Sequence, residues 1–160
     1  MSAPCDLRVL VWKVHLSAEP KRGEGAAAVT DVKKLDDLAK IPRIMIERQL
    51  ELASKSPEQA LTDPWALGYC FGMFDAMAQR AELDRYNEGF VLITLGFIAL
   101  MADHLEGAER VRRAVAGKTD PRFIEGNRTA SAEMLAWLAD RNKAPMSLFD
   151  HFTSTSPAPR

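Results

Sequence analysis

Apolar residues dominate the middle of the chain, from Asp63 to Leu105, and predict a hairpin of two helices. Asp63-Pro64 is a typical helix start, because Asp caps the first turn and Pro fits the first helical position. The uncharged run from Trp65 to Phe74 then places large apolar side chains around most of the helix circumference. A helix that is apolar on nearly every side is an interior helix, so this one is predicted to lie in the core.

The second helix of the hairpin is predicted from about Tyr86 to Leu105 and has no charge between Gly89 and Ala102. A membrane-spanning helix needs about 20 apolar residues, and this uncharged stretch is shorter. The pattern therefore predicts a buried core helix. The alternative is a re-entrant segment or one that lies on a membrane.

Glycines recur at helical spacing in both helices of the hairpin. Gly68 and Gly72 form a G-x-x-x-G motif, and Gly89 and Gly96 lie on one stripe of the second helix. Each interior Gly costs roughly 1 kcal/mol relative to Ala, so a close backbone approach is expected to compensate. The spacing favours tight crossings within the fold over a contact between subunits.

Shorter amphipathic patterns flank the hairpin and predict the remaining helices. In the pattern from Pro42 to about Lys55, Gln49 is counted with the polar positions Glu47, Arg48 and Glu51. Glu106-Gly107 is expected to loosen the chain between helices. The flanking helices are Asp31 to Lys40, with Thr30 as cap, Pro42 to about Lys55, a turn after the capping box Ser56 to Gln59, one through Ala108 to Val115, and about Pro121 to Arg141.

The fold class is therefore all-α, a bundle of five or six helices around a central apolar hairpin. The bundle domain is predicted at residues 30–144, between an N-terminal arm and linker at 1–29 and a disordered C-terminal tail at 145–160. Within the arm, Leu7 to Leu16 has the pattern of a strand. It would pair with its copy in a dimer, dock as an arm or remain loosely ordered.

Composition is that of one ordinary globular domain: 160 residues, 47% hydrophobic and 27% charged. The formal net charge of −1 argues against attraction to nucleic acid or to an anionic membrane. Cys5 and Cys70 fit neither a disulfide framework nor a metal site. Asp6 and Arg8 interrupt what would be the apolar part of a secretory leader. A cytoplasmic location is expected.

No catalytic, cofactor or metal residues are assigned. Gly117-Lys118-Thr119 lacks the earlier Gly that a phosphate-binding loop requires. Asp103-His104-x-Glu106 is one acid–His cluster, where a di-iron bundle needs two, so a capped helix end is the preferred interpretation. Asp75 interrupts an apolar helix and would be a general-base candidate if buried. Because Gln79 and Glu82 share its face, a narrow solvent-facing seam is favoured.

Two interaction candidates remain, of which the first is a basic segment containing Arg110 and Arg113. It would contact phosphates or an acidic partner. Interspersed acidic residues favour a solvated helix face instead, with Glu106 paired to Arg110 and Glu109 to Arg113, each four residues on. The rest of the segment is Arg112, Lys118, Arg122 and Arg128.

The second candidate is the start of the tail, Pro145-Met146-Ser147-Leu148-Phe149. It resembles the short peptides by which bacterial proteins dock on the replication sliding clamp, which typically read Gln-Leu-Ser/Asp-Leu-Phe. Met146, Leu148 and Phe149 fit that pattern, whereas Pro145 replaces the leading Gln. The resemblance implies docking of the tail on another protein. The alternative is that Leu148, Phe149 and Phe152 fold back to cover the bundle.

The sequence thus predicts a non-catalytic interaction module, an adaptor, regulator or accessory protein. Self-association is expected, because two helices carry more apolar circumference than the amphipathic helices cover comfortably. The competing hypothesis is a small-molecule-binding protein or enzyme with a pocket between the central helices. That pocket would be lined by Trp65, Tyr69, Phe71, Phe74, Phe90 and Phe97.

Overall fold

A computed structural model describes residues 31–154, and within that range the chain is all-helical, with seven helices and no strand. The predicted all-α class is confirmed. The predicted strand Leu7 to Leu16 and the linker after it lie outside the described residues. The helices are α1 Val32–Leu52, α2 Pro57–Ala60, α3 Pro64–Arg80, α4 Glu88–Met101, α5 His104–Ala116, α6 Pro121–Ala139 and α7 Ser147–Ser154.

Helix α1 is one continuous helix where two were predicted. Asp31, not Thr30, caps it by accepting a hydrogen bond from the Lys34 amide. Pro42 lies inside the helix and is buried. An interior Pro costs about 3 kcal/mol because it removes one hydrogen bond and crowds the preceding turn. The helix continues because its buried positions form one unbroken stripe across the Pro: Leu35, Ala39, Pro42, Ile46, Gln49 and Leu50.

Helix α3 lies at the centre of the bundle and packs against α6, α4, α1 and α5. Its predicted N-cap is confirmed, since the Asp63 carboxylate accepts hydrogen bonds from the amides of Trp65 and Ala66. Tyr69 and Phe74 have no exposed surface. The prediction of an interior helix is therefore confirmed for α3.

The glycine prediction is confirmed for Gly68 and Gly72, which mark a close crossing of α3 and α6, but not for Gly89, where an added Cβ would meet only ordinary contact distances. A Cβ at Gly72 would lie 2.5 Å from the Asn127 carbonyl oxygen, and one at Gly68 would overlap the backbone of Phe123. From the other side, a Cβ at Gly126 would overlap the Trp65 carbonyl. The two backbones approach each other at a distance that only Gly permits.

The break between α4 and α5 lies earlier than predicted. Helix α4 ends at Met101, Ala102 adopts a left-handed conformation with φ of 52°, and Asp103 caps α5. Gly107 does not loosen the chain but lies within α5, where its missing side chain lets α5 approach the backbone of Ile98. The same glycine that suggests a loop in the sequence thus serves a helix crossing.

Candidate interaction surfaces

Helix α7 begins without a capping side chain of its own, and two other helices supply the acceptors for its first amides. The carboxylate of Glu133 on α6 accepts hydrogen bonds from the amides of Met146 (3.3 Å) and Ser147 (3.2 Å). The side-chain oxygen of Gln49 on α1 accepts from the amides of Leu148 (3.0 Å) and Phe149 (3.2 Å). Because the leading amides of a helix have no partner within it, these two side chains fix where α7 starts.

The hydroxyl of Tyr69 on α3 joins the two acceptors. It accepts a hydrogen bond from Gln49 Nε2 at 3.3 Å and donates one to Glu133 Oε2 at 2.5 Å. Tyr69 and Gln49 are buried, at 0% and 2% exposed. Burial first, and then the hydrogen bond to Glu133, raises the pKa of Tyr69 well above its ordinary value. The hydroxyl therefore stays protonated and keeps donating to the carboxylate.

One turn further along α7, His151 lies against the start of α3. Its ring stacks on Trp65, with centroids 4.3 Å apart and planes at 12°, and its Nε2 lies 3.3 Å from Asp63 Oδ2. Arg122 also reaches Asp63, at 2.9 Å. Burial opposes ionisation of Asp63, but hydrogen bonds from His151 and from backbone amides, with the nearby Arg122 charge, hold its pKa below the ordinary value.

Residues 147–154, which the sequence assigns to the tail, thus form a helix packed on the bundle. Leu148 has no exposed surface, while Met146 and Phe149 are half-buried. The accessible docking peptide expected from the clamp-like motif is not presented in this arrangement, because its Leu148 anchor lies in the core. The alternative expectation, that this segment covers the bundle, describes what is observed. Docking on another protein stays a prediction that requires α7 to leave its place.

Sequence reasoning missed the two side chains that hold α7. Gln49 carried a usable signal, because it continues the apolar stripe of α1 from Ile46 at a spacing of three and is therefore a polar residue at a core position. Glu133 carried no such signal in the sequence. Its partners Met146 and Ser147 belong to another segment, and no local pattern connects them with α6.

Helix α4 is apolar on the side that faces away from the bundle as well as on its buried side. Its buried residues include Leu92, Phe97 and Leu100. The opposite side carries no charge, and Phe90 there is 43% exposed. We define the outward face of α4 by the one exposed and three half-buried residues Phe90, Val91, Thr94 and Leu95.

The basic segment does not form one continuous cationic surface. Arg110 is 8% exposed, and its Nη2 lies 3.5 Å from Glu106 Oε2, the pairing expected from the sequence. Arg113 is exposed. Glu109 pairs with Arg112 at 2.7 Å rather than with Arg113 as predicted. The exposed Arg112 and Arg113 fit the interpretation of a solvated helix face, whereas the buried Arg110 does not.

Asp75 lies half-buried at the edge of α3, beside the exposed Gln79 and Glu82 of the predicted seam. Gln79 Nε2 donates a hydrogen bond to Asp75 Oδ2 at 2.6 Å. Burial raises the pKa of Asp75, although the hydrogen bond from Gln79 and the charges of Arg85 and Lys118 oppose the increase. Ionised Asp75 is therefore a net cost to the fold.

Replacing Asp75 with Asn is expected to raise the melting temperature at neutral pH, and the gain should disappear in acid. Because folding raises this pKa, the protonated carboxyl stabilises the fold fully below the unfolded-state value of about 3.9 and loses that contribution as pH rises through the folded-state value. Asn never ionises and still accepts from Gln79. Melting curves across pH test this, with Glu125→Gln as an exposed control. A lower melting temperature at neutral pH would contradict it.

The aromatic side chains of the competing pocket hypothesis are mostly packed against one another. Tyr69, Phe74 and Phe97 have no exposed surface, and the ring centroids of Phe74 and Phe97 lie 5.5 Å apart. An open depression instead lies at the start of α1, lined by Asp31, Lys33, Lys34, Asp37 and Leu38. Among residues 31–154, no three His, Cys, Asp or Glu side chains are grouped so that they would hold a metal ion. Asp103 caps α5 by accepting from the Glu106 amide.

Comparison with known proteins identifies no relative: the chain matches no family model, and neither curated proteins nor solved structures give a significant match. No helix in the described part of the chain is long and apolar enough to cross a membrane.

Proposed function

We propose that this protein is a non-catalytic interaction module, acting as an adaptor, regulatory or accessory protein, which binds a second copy of itself through the outward face of α4. The observation that carries the proposal is the absence of charge on that face. An ordinary surface helix carries polar or charged residues opposite its buried side. On its outward face, helix α4 instead has Val91 and Leu95, beside the 43% exposed Phe90.

A second copy is the occupant that this chemistry favours. A two-fold interface places the same patch of each copy against the other, so an uncharged apolar face is complementary to itself. The formal net charge of −1 adds little repulsion between copies. The aromatic interior is packed, with Tyr69, Phe74 and Phe97 fully buried. This favours a protein-interaction module over a protein that holds a small molecule in an internal pocket. The buried thiol of Cys70 suits the proposed cytoplasmic location.

Thr94→Lys is expected to convert a dimer into a monomer. Thr94 lies in the middle of the outward face, half-buried, with its hydroxyl donating to the Phe90 carbonyl at 2.8 Å. A Lys there keeps helix propensity but places an ammonium group in an interface that would have to desolvate it. Light scattering at micromolar concentration should report a dimer for the unchanged chain and a monomer for the variant.

The matched control is Thr129→Lys on α6. Thr129 is also half-buried and makes the same kind of bond, to the Glu125 carbonyl at 3.0 Å. Thr129→Lys should leave the dimer intact. If the unchanged chain is monomeric, for example because residues 1–29 cover the outward face in the same molecule, the proposal is overturned. A dimer that Thr94→Lys does not weaken also overturns it.

A further inference from the structure

We propose that α7 is an exchangeable element: the α7 of one copy can occupy the place that α7 normally fills on a second copy, so that two chains trade C-terminal helices. We call that place the α7 seat and define it by Gln49, Asp63, Trp65, Tyr69 and Glu133. The proposal concerns a different surface from the outward face of α4 and does not depend on it.

The α7 seat recognises its occupant through directional contacts. Glu133 and Gln49 together accept from four successive amides, and Glu133 also accepts from the Ser147 hydroxyl at 2.8 Å. At the other end of the seat, Trp65 stacks on His151. A helix therefore fits if it begins with a Ser and presents a His four residues later on the same face, which is the pattern of α7 itself.

An empty α7 seat is unfavourable. The side-chain oxygen of Gln49 would exchange its two bonds from the α7 amides for bonds to water, which loses the net stabilisation of both bonds. The space filled by Leu148, which has no exposed surface, would be left open. Both penalties are removed when any α7 refills the seat, whichever chain it comes from.

The connection between α6 and α7 makes few bonds to the rest of the bundle. Residues 141–144 are exposed, and the Asn142 and Lys143 amides donate to Asp140 within the same turn. Opening this turn breaks these bonds and the stacking of Arg141 on Trp137 at 3.7 Å from the ring centroid, but it leaves the contacts of the α7 seat unchanged. The same contacts form within one chain or between two, and chain connectivity and concentration decide between them.

Deleting residues 140–144 should favour the exchange. Met146 must lie beside the Glu133 carboxylate. Ala139, the last residue of α6, is six residue steps beyond Glu133, which corresponds to a rise of about 9 Å along the helix. After the deletion only Pro145 remains between Ala139 and Met146, and two residue steps span at most roughly 7 Å. The α7 of such a chain can return to its own seat only if the last turn of α6 unwinds, so occupation of the seat of a second copy is favoured.

The experiment measures the mass of the deletion chain by light scattering, in the Thr94→Lys background that removes association through α4. A dimer or larger species, with protected α7 amides in hydrogen exchange, is the expected result. Adding Leu148→Asp should return it to a monomer, and replacing residues 140–144 by a Gly/Ser linker of equal length should leave the chain monomeric. A monomeric deletion chain overturns the proposal.

A full-length pair covers the case in which the deletion chain loses its helical circular dichroism. Both chains carry Thr94→Lys; one also carries Glu133→Ala and so has a defective seat, and the other carries Leu148→Asp and so has a defective α7. Each is expected to show unprotected α7 amides alone. An equimolar mixture should form a one-to-one complex in which the α7 of the Glu133→Ala chain becomes protected. Two chains that stay separate when mixed would exclude exchange.

Discussion

Replacing Gly126 with Ala should destabilise the protein by about 3 kcal/mol, at the upper end of what overpacking usually costs. The added Cβ would lie 3.0 Å from both the Trp65 carbonyl carbon and the Tyr69 amide nitrogen, and would overlap the Trp65 oxygen. These are backbone atoms in the first two turns of α3, so no flexible side chain can move aside. The helices α3 and α6 would have to separate along their whole contact. Urea unfolding followed by circular dichroism measures the loss.

The control is the same substitution at Gly89, near the start of α4. A Cβ there would lie 3.4 Å from the Asp84 carbonyl oxygen and 3.6 Å from the Ala78 Cβ, which are ordinary contact distances. Ala has the higher helix propensity, so Gly89→Ala should be neutral or gain up to about 1 kcal/mol. If Gly126→Ala were as stable as Gly89→Ala, the close crossing of α3 and α6 would be refuted.

Much of the fold can be predicted from the sequence because several helix starts depend on local chemistry. Asp63 and Asp120 each precede a Pro at the first helical position, and both cap their helices, as this Asp-Pro pattern predicts. Ser56 and Gln59 form the predicted capping box. In each case the acceptor and the amides it serves lie within three residues, so a single sequence contains the whole interaction.

The errors occur where distant packing outweighs a local signal. Pro42 is a good helix start, yet the apolar stripe that runs past it keeps α1 continuous. Gly107 suggests a loop, yet it meets the backbone of Ile98 within α5. Neither neighbour is visible in the local pattern, so the sequence could show that a small or rigid residue is present but not what it serves.

The α7 seat could not be predicted for the same reason. Gln49 and Glu133 lie 99 and 14 residues from the α7 groups they bind, Leu148 and Ser147. The polar, Pro-containing end of the chain favours a tail, whereas the apolar spacing of Leu148 and Phe152 is compatible with a short amphipathic helix. Composition and spacing thus gave opposite indications, and the acceptors on α1 and α6 decide between them.

Replacing Leu148 with Ala tests which of these indications is right. The change is expected to lower the free energy of unfolding by about 2–5 kcal/mol, as for other Leu to Ala changes at buried positions. Leu148 has no exposed surface, and its amide donates to the buried Gln49, so the cavity would adjoin a polar network that needs α7 in place. Thermal unfolding should show a lower melting temperature. Hydrogen exchange should show faster exchange at the α7 amides than in the unchanged protein.

Leu135→Ala on α6 is the matched control, because it removes the same atoms from a side chain that is 48% exposed. Away from a packed core, a surface change is expected to stay within about 0.5 kcal/mol. A clear gap between the two variants would place Leu148 in the core and explain why the clamp-like motif is not accessible while α7 is seated. Equal, small losses would show that α7 contributes little to the folded bundle, and the docking peptide of the sequence analysis would then be free to bind a partner.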